Sequence, residues 1–543
     1  MKNNLPLLLY IAFIFAAVSC ESNKDADKVF YNGIIYTVDS SFSKAQAFAV
    51  KGGKIIAVGN DEEILKFNCV NKINLEGRSV YPGFIDGHCH FYHYAIDLKK
   101  IWIGGSKSFN EIIDTLVRRK NQLFMGWLYA RGWDQNDWVI KQYPDKSNLD
   151  ELFPDIPVFL MRVDGHAALV NQKALDLAGI TTETKVLGGE VVLKNGKLTG
   201  LLIDNAVDLV KNKIPEPTNL AQSQALLDAQ KNCFAVGLTT VDDAGLNVNE
   251  INLLNTLHKR GSLQMRIYAM VMYDSSNAAY YFKKGKVKTD RLHVCSFKLY
   301  ADGALGSRGA CLLQPYSDRK EHYGFLLNEI DSLKIAATEI AAHDFQLNTH
   351  CIGDSANHIM LQIYHEALKG KKDQRWRIEH AQVIALQDVE LFKKDQIIPS
   401  VQPTHATSDM YWASERLGAE RIKTAYAYKT LMEQNNMVAS GSDFPVEDIN
   451  PLYGFYAAVS RKDQNNFPSG GFQKENALTR EEALKAMTIW NAFANFEEHE
   501  KGSIEKNKFA DFVILNDDIM TCKEDRIYSV KVKSTYVNGE KVY

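Results

Sequence analysis

Eight short runs in the middle of this chain share one design: YPGFIDGHCH, GLTTVDDAG, MRIYAMVMYD, HVCSFKLYADG, QLNTHCIGD, WRIEHAQ, IIPSVQPTH and MVASGSDFPV. Each reads as a short strand rich in apolar residues and ends on polar or charged ones. Segments long enough for a crossover helix separate most of them, and strands alternating with helices in this way predict an α/β fold, a (β/α)8 TIM barrel. Chemistry in such barrels sits at the carboxyl ends of the strands, where these polar residues fall. The last helix is announced by TREEALKAMTIWNAFANF, in which Thr479 can cap and Glu482 complete a capping box.

The barrel is expected over residues 81–495, with one gap too long for a single crossover. Residues from about 95 to 232 carry RGWDQNDW, VFLMRVDGHAALVN and GGEVVLKNGKLTGLLID, and they predict an inserted subdomain of mixed α and β after the first barrel strand. Outside the barrel the pattern changes to short alternating strands with tight turns. Residues 26–80 contain a Gly-Gly hairpin signal in AFAVKGGKIIAVG, and residues 500–543 contain Asn538-Gly539 in VKSTYVNGEKVY. Both ends together predict one small β-sandwich domain.

Lys2 precedes the apolar run LPLLLYIAFIFAAV, which ends in AVSC and is followed by the polar ESNKDADK. The run is short for a membrane span and suits a secretory signal. It resembles a bacterial lipoprotein signal over residues 1–20 with Cys20 as the lipidation site. That implies a cell-envelope protein held at a membrane by its lipid anchor. Seven further cysteines, with no short Cys-x-x-Cys spacing, predict neither a disulfide framework nor a zinc knuckle. A formal net charge of -3 and the lack of a basic patch with interleaved aromatics argue against a nucleic-acid partner. A small-molecule substrate is the expected partner, with a homodimer as the expected assembly.

On a strand, His88 and His90 share one face while Cys89 points away. Two imidazoles about 6 to 7 Å apart along one face can grip a metal ion. Alone the pair is more often a set of hydrogen-bonded core histidines than a metal site. The other strand ends change the balance: Lys298 on the fourth, His350 on the fifth, His380 on the sixth and Asp443 on the eighth all converge on one barrel mouth.

The motifs PGFIDGHCH, FKLYADGALGSRGA, NTHCIGD, IEHAQ, SGSDFP and GSIEKNKFADFVILN, together with DGHAALVN in the insertion, resemble the amidohydrolase superfamily. The resemblance is to its YtcJ-like group, which includes N-substituted formamide deformylase, and it covers nearly all of the chain after the leader. It implies two divalent metal ions, expected to be zinc. His88, His90 and Asp443 would hold the more buried ion, and His350 and His380 the more exposed one. Lys298 would bridge them as a carbamate, because burial beside cations depresses a lysine pKa and frees the neutral amine to take up carbon dioxide.

The implied reaction is hydrolysis of a carbon–nitrogen bond in a small non-peptide amide, N-formyl or N-acyl compound. A metal lowers the pKa of its water toward about 7, and Asp443 would take the water proton and return it to the leaving nitrogen. Substrate contacts are expected from Trp133, Asp134, His166 and Trp412 at the mouth, with Arg308 reaching a substrate carboxylate. His93 falls off the His88 and His90 face and is left out of the site, and His405, ending the seventh strand, is expected to support the ligands. Two alternatives remain open: the same site acting on an ester, lactone or phosphoester, or an inactive surface binding lipoprotein.

Overall fold

The computed structural model describes residues 25–543, so the expected leader and Cys20 lie outside the described residues. Eight parallel strands form the central sheet: β1 (Phe84–Cys89), β2 (Leu238–Leu246), β3 (Arg266–Met272), β4 (Leu292–Tyr300), β5 (Gln346–Cys351), β6 (Arg377–His380), β7 (Ile398–Val401) and β8 (Ala439–Ser440). They pair in chain order from β1 to β8, making a nearly closed barrel. Nearly every strand residue is buried, because one face meets the surrounding helices and the other fills the lumen. On β4, for example, Val294, Phe297 and Leu299 belong to the main apolar core, while Ser296 and Lys298 are buried polar residues.

The eighth run was expected as a full strand, but only two of its residues are extended. Past them Gly441 passes so close to β1 that a Cβ there would lie 2.3 Å from the His88 nitrogen. The seam is closed by particular hydrogen bonds. Asp443 N–H donates to His88 O and His90 N–H to Phe444 O, both at 2.8 Å. Asn491 bridges the gap by donating to Ile85 O and Ser440 O, each at 2.8 Å.

Helix α1 (Phe91–Asp97) follows β1, and helix α2 (Asn219–Ala235) packs on it. Ala225, Leu226, Ala229, Cys233 and Phe234 of α2 share the barrel's apolar core with Phe91 and Ala95 of α1. The chain therefore rejoins the barrel at α2, earlier than the boundary expected near residue 232. The insertion itself is a six-stranded mixed sheet running from Ile101–Trp102 to Lys197–Asp204, with two apolar clusters of its own.

Both chain ends meet in the small domain. The strand Ser79–Pro82 pairs with Ile34–Tyr36 and, antiparallel, with Phe512–Leu515. A second sheet carries Lys28–Tyr31 and Ala47–Lys51, and Phe30, Phe48, Phe512 and Tyr536 pack together between the sheets. Thr479 and Glu482 form the expected capping box, but the helix they start, Arg480–Ala486, breaks at Thr488 (φ −139°, ψ −96°) before a second helix, Ile489–Ala494. That break puts Asn491 at the barrel seam. The seven described cysteines are all free.

Candidate active site

A cavity of about 600 Å³ opens at the carboxyl ends of the strands, walled by the barrel on one side and the insertion on the other. His90, His350, His380 and Asp443 line it. His88 lies just beneath, fully buried, with Nε2 3.6 Å from Asp443 Oδ1 and 3.3 Å from Lys298 Nζ. His90 Nε2 is 3.3 Å from the same Asp443 oxygen. The His350 and His380 rings are 4.5 Å apart.

Each ring is aimed by a partner on its far nitrogen. His88 Nδ1 lies 2.5 Å from Glu379 Oε2, His90 Nδ1 3.0 Å from Ala244 O and His380 Nδ1 2.7 Å from Gln402 Oε1. All three partners offer oxygen acceptors, so each Nδ1 carries the proton and each Nε2 keeps a lone pair facing the centre. Burial alone would raise the Glu379 pKa, but His88, Arg377 and Lys298 hold it below the usual glutamate value, so it stays an acceptor.

Two backbone positions are strained in support of this geometry. His380 (φ +73°) and Asp443 (φ +63°) both occupy the left-handed region, which non-glycine residues adopt where surrounding structure compels it. The turn carrying Asp443 is pinned by Asp86, which accepts from Ser442 N–H at 3.0 Å and Ser442 Oγ at 2.6 Å. Asp302 plays a similar part beside His350. Its carboxylate accepts the N–H groups of Ile352, Gly353 and Cys311 at 2.8 to 2.9 Å, holding the turn that follows β5.

The electrostatics are those of a cation-ready centre. Burial pushes the Lys298 ammonium down to about 8, against the pull of Glu379 and Asp443. For Asp443 burial works the other way, yet His90, His88 and His405 hold its carboxyl below the ordinary aspartate range. Asp443 Oδ1, His350 Nε2 and His405 Nε2 are buried without a hydrogen-bond partner. Two sets of ligand atoms gather within 4.8 Å of one another: those of His88, His90 and Asp443, and those of His380, His405 and Asp443. Buried lone pairs left open in this number, beside a lysine whose pKa burial has lowered, fit divalent ions.

The model of the amidohydrolase family matches residues 72–543. The chain belongs to the amidohydrolase family. Among its relatives, the putative amidohydrolase YtcJ of Bacillus subtilis is 30% identical over 95% of this chain and 99% of its own. N-substituted formamide deformylase of Arthrobacter pascens is 26% identical over 94% of this chain and 97% of its own. Among solved structures, an uncharacterized metal-dependent hydrolase from Pyrococcus horikoshii superposes with a TM-score of 0.75 at 27% identity, covering 92% of this chain and 99% of that one.

In this amidohydrolase the expected substrate contacts divide. Asp134, His166 and Trp412 line the cavity. Trp133 does not: it is 2% exposed in the insertion's own core, with its indole N–H on Leu160 O at 2.8 Å. Trp133 is the last residue of the strand Leu128–Trp133, whereas Asp134 lies past its end at the start of a 3-10 turn, where its carboxylate accepts from Asn136 N–H at 2.8 Å. Arg308 is also a correction, because Asp318 ten residues on holds its guanidinium at 2.7 and 3.2 Å and it lies off the cavity wall.

His405 does not end β7. It sits one turn into the helix α3 (Pro403–Asp409), and its Nε2 comes 3.7 Å from Asp443 Oδ2, which brings it into the centre itself. His93, set aside from sequence because strand alternation turned it away, lines the cavity since the chain is already helical there. Glu379 and Gln402 were missed as well. Glu379 stands in the IEHAQ run one residue before His380, where an acid inside a buried strand was the available signal.

Proposed function

We propose that this protein is a metal-dependent hydrolase that cleaves a carbon–nitrogen bond in a small non-peptide amide, N-formyl or N-acyl compound. The observation that supports it most is the convergence of His88, His90, His350, His380, Lys298 and Asp443 on one buried centre with open lone pairs. His88, His90 and Asp443 would hold one divalent ion, and His350 and His380 a second. Lys298, carboxylated by carbon dioxide, would bridge them, its low pKa supplying the neutral amine that this reaction needs. His405, whose ligand atom lies within 4.8 Å of those of His380 and Asp443, would also be within reach of such an ion. Zinc is the expected metal, given the nitrogen-rich ligand set.

Such ions supply an acidified water and a Lewis acid for the substrate carbonyl. The chain's own residues do the rest. Asp443 faces the imidazoles with an ionised carboxylate and takes the proton of the attacking water, then returns it to the departing nitrogen, without which an amine is a poor leaving group. Glu379, Ala244 O and Gln402 keep three imidazoles in the tautomer that faces the centre. The insertion walls one side of the cleft. Expressing the chain without its leader, measuring bound metal, and screening N-formyl and N-acyl amines tests the proposal. A metal-replete protein that hydrolyses esters but no amide would overturn the carbon–nitrogen assignment, and a well-folded protein that takes up no divalent metal would overturn the whole reading.

A further inference from the structure

Below the metal centre the barrel wall carries four polar side chains whose hydrogen bonding is incomplete. Asn348 on β5, Arg377 and Glu379 on β6 and Ser400 on β7 are all fully buried. Adjacent strands bring them together: Asn348 pairs in register with Arg377, and Glu379 with Ser400. Residues paired across strands share a face of the sheet, as do residues two apart along one strand. Here that face is the lumen, because the alternate residues Leu347, Ile378 and Val401 belong to the main apolar core.

Arg377 spends its terminal nitrogens on Asp242 Oδ2 at 3.0 Å, Gly87 O at 3.2 Å and Asn495 Oδ1, and its Nε–H has no partner among the described residues. Glu379 turns Oε2 to His88 and leaves Oε1 open. Ser400 Oγ is open too, and Asn348 is open at both ends of its amide. Five buried polar atoms in one arc of the lumen are too many to leave bare. Their chemistry says what meets them. The guanidinium and the amide nitrogen donate, the carboxylate and the amide oxygen accept, and the hydroxyl does either. A cation that suited Glu379 would lie against Arg377, and an anion that suited Arg377 would lie against Glu379. Water serves both. Bulky branched residues ordinarily fill the layers of such a lumen, and a serine at one of these places takes up less of its layer.

We propose that this arc of the lumen is a buried water site, that one water accepts from Arg377 Nε–H and donates to Glu379 Oε1, and that this bridge helps hold Glu379 against His88. The two residues stand about 6 to 7 Å apart along one face of β6, and the atoms to be bridged make no hydrogen bond to each other. Asn348 beside Arg377 and Ser400 beside Glu379 supply the further bonds, since a buried water typically makes about three. The support given to Glu379 rests on His88 being a metal ligand, as in the reading above. The water site itself does not.

A crystal structure of the metal-loaded protein that resolves ordered water should show a water bonded to Arg377 Nε and Glu379 Oε1. A bound ion in that place, or a direct Arg377–Glu379 hydrogen bond, overturns the assignment. Stability tests it by sign. In a dry lumen Asn348→Leu removes a bare amide at nearly constant volume and should raise Tm, whereas in a wet one it strips hydrogen bonds from the water and should lower Tm by about 1 to 4 °C. Ser400→Ala is the milder variant and should shift Tm downward as well. A rise in Tm in both variants refutes the site. Metal affinity, read by chelator competition, should weaken roughly 2- to 10-fold in Ser400→Ala, as the loss of one supporting hydrogen bond implies. Combined with Glu379→Gln the loss should be less than additive, because both changes act through one carboxylate. Additive losses, or unchanged affinity in Ser400→Ala, refute the support of Glu379. A wild-type protein that takes up no metal refutes the metal reading instead, and the density and the sign of the Tm shift then decide the water site alone.

Discussion

Asp443→Asn separates chemistry from architecture at this centre. Asparagine is among the few residues that settle in the left-handed region, so the φ of +63° at this position is kept. It also keeps the side-chain shape and one oxygen for a metal. The imidazoles at the centre are untouched, and most of the metal should be retained. What disappears is the proton acceptor. General acid–base catalysis is worth about 10²- to 10⁴-fold, or roughly 3 to 5 kcal/mol of transition-state stabilisation, and kcat should fall by that amount.

The loss should depend on the leaving group. An amide needs its nitrogen protonated as it departs, while an activated ester expels a stable alkoxide or phenoxide without help, so the amide should suffer more. Matched amide and ester substrates, measured on one preparation with its metal content determined, provide the comparison. Equal losses on both would reduce Asp443 to a ligand. Turnover near wild type on the amide would place the base elsewhere and refute the proposed mechanism.

Glu379→Gln removes the charge behind His88 while preserving volume, and metal affinity measured by chelator competition should weaken about 10- to 100-fold, as for other carboxylates that orient a ligating histidine; unchanged affinity would mean that the 2.5 Å contact does not tune the ligand. Lys298→Ala should lower both metal content and activity, and a short carboxylate added to the buffer should restore part of each; full metal content in the variant would rule out a bridging role. Cys20→Ser should release the mature domain from the membrane fraction or block its processing, and a wild-type protein found soluble with Met1 intact would refute the anchor.

What could be read from the sequence and what could not differ in where each residue finds its partners. The eight barrel runs announce themselves because a strand buried on both faces has a local signature, and so do the hairpins at Gly52-Gly53 and Asn538-Gly539. His88, His90 and Asp443 stand in such local contexts. Glu379 does not, since the histidine that explains it is 291 positions away, across the barrel lumen. The two tryptophans make the same point from the other side: Trp133 and Trp412 look alike in sequence, and only the third dimension puts one in a core and the other on the cleft. Arg308 was expected at the substrate because it follows the β4 run closely, while Asp318, which holds its guanidinium, lies ten residues along in a loop with no period to follow.

His405 and His93 failed for a different reason, which is that alternation was extended past the point where the chain stops being a strand. β7 ends at Val401 and β1 at Cys89, and a helix begins within a residue or two of each. A helical turn advances a side chain by about 100° where a strand advances it by 180°, so the same offset reaches a different wall. In a barrel this error falls where it matters most, because the strand-to-helix junction is the catalytic rim. For chains of this architecture, histidines within about one helical turn beyond a strand end belong in the candidate site whatever their parity, and an acid buried beside a ligating histidine should be taken first as the group that aims a ligand on another strand.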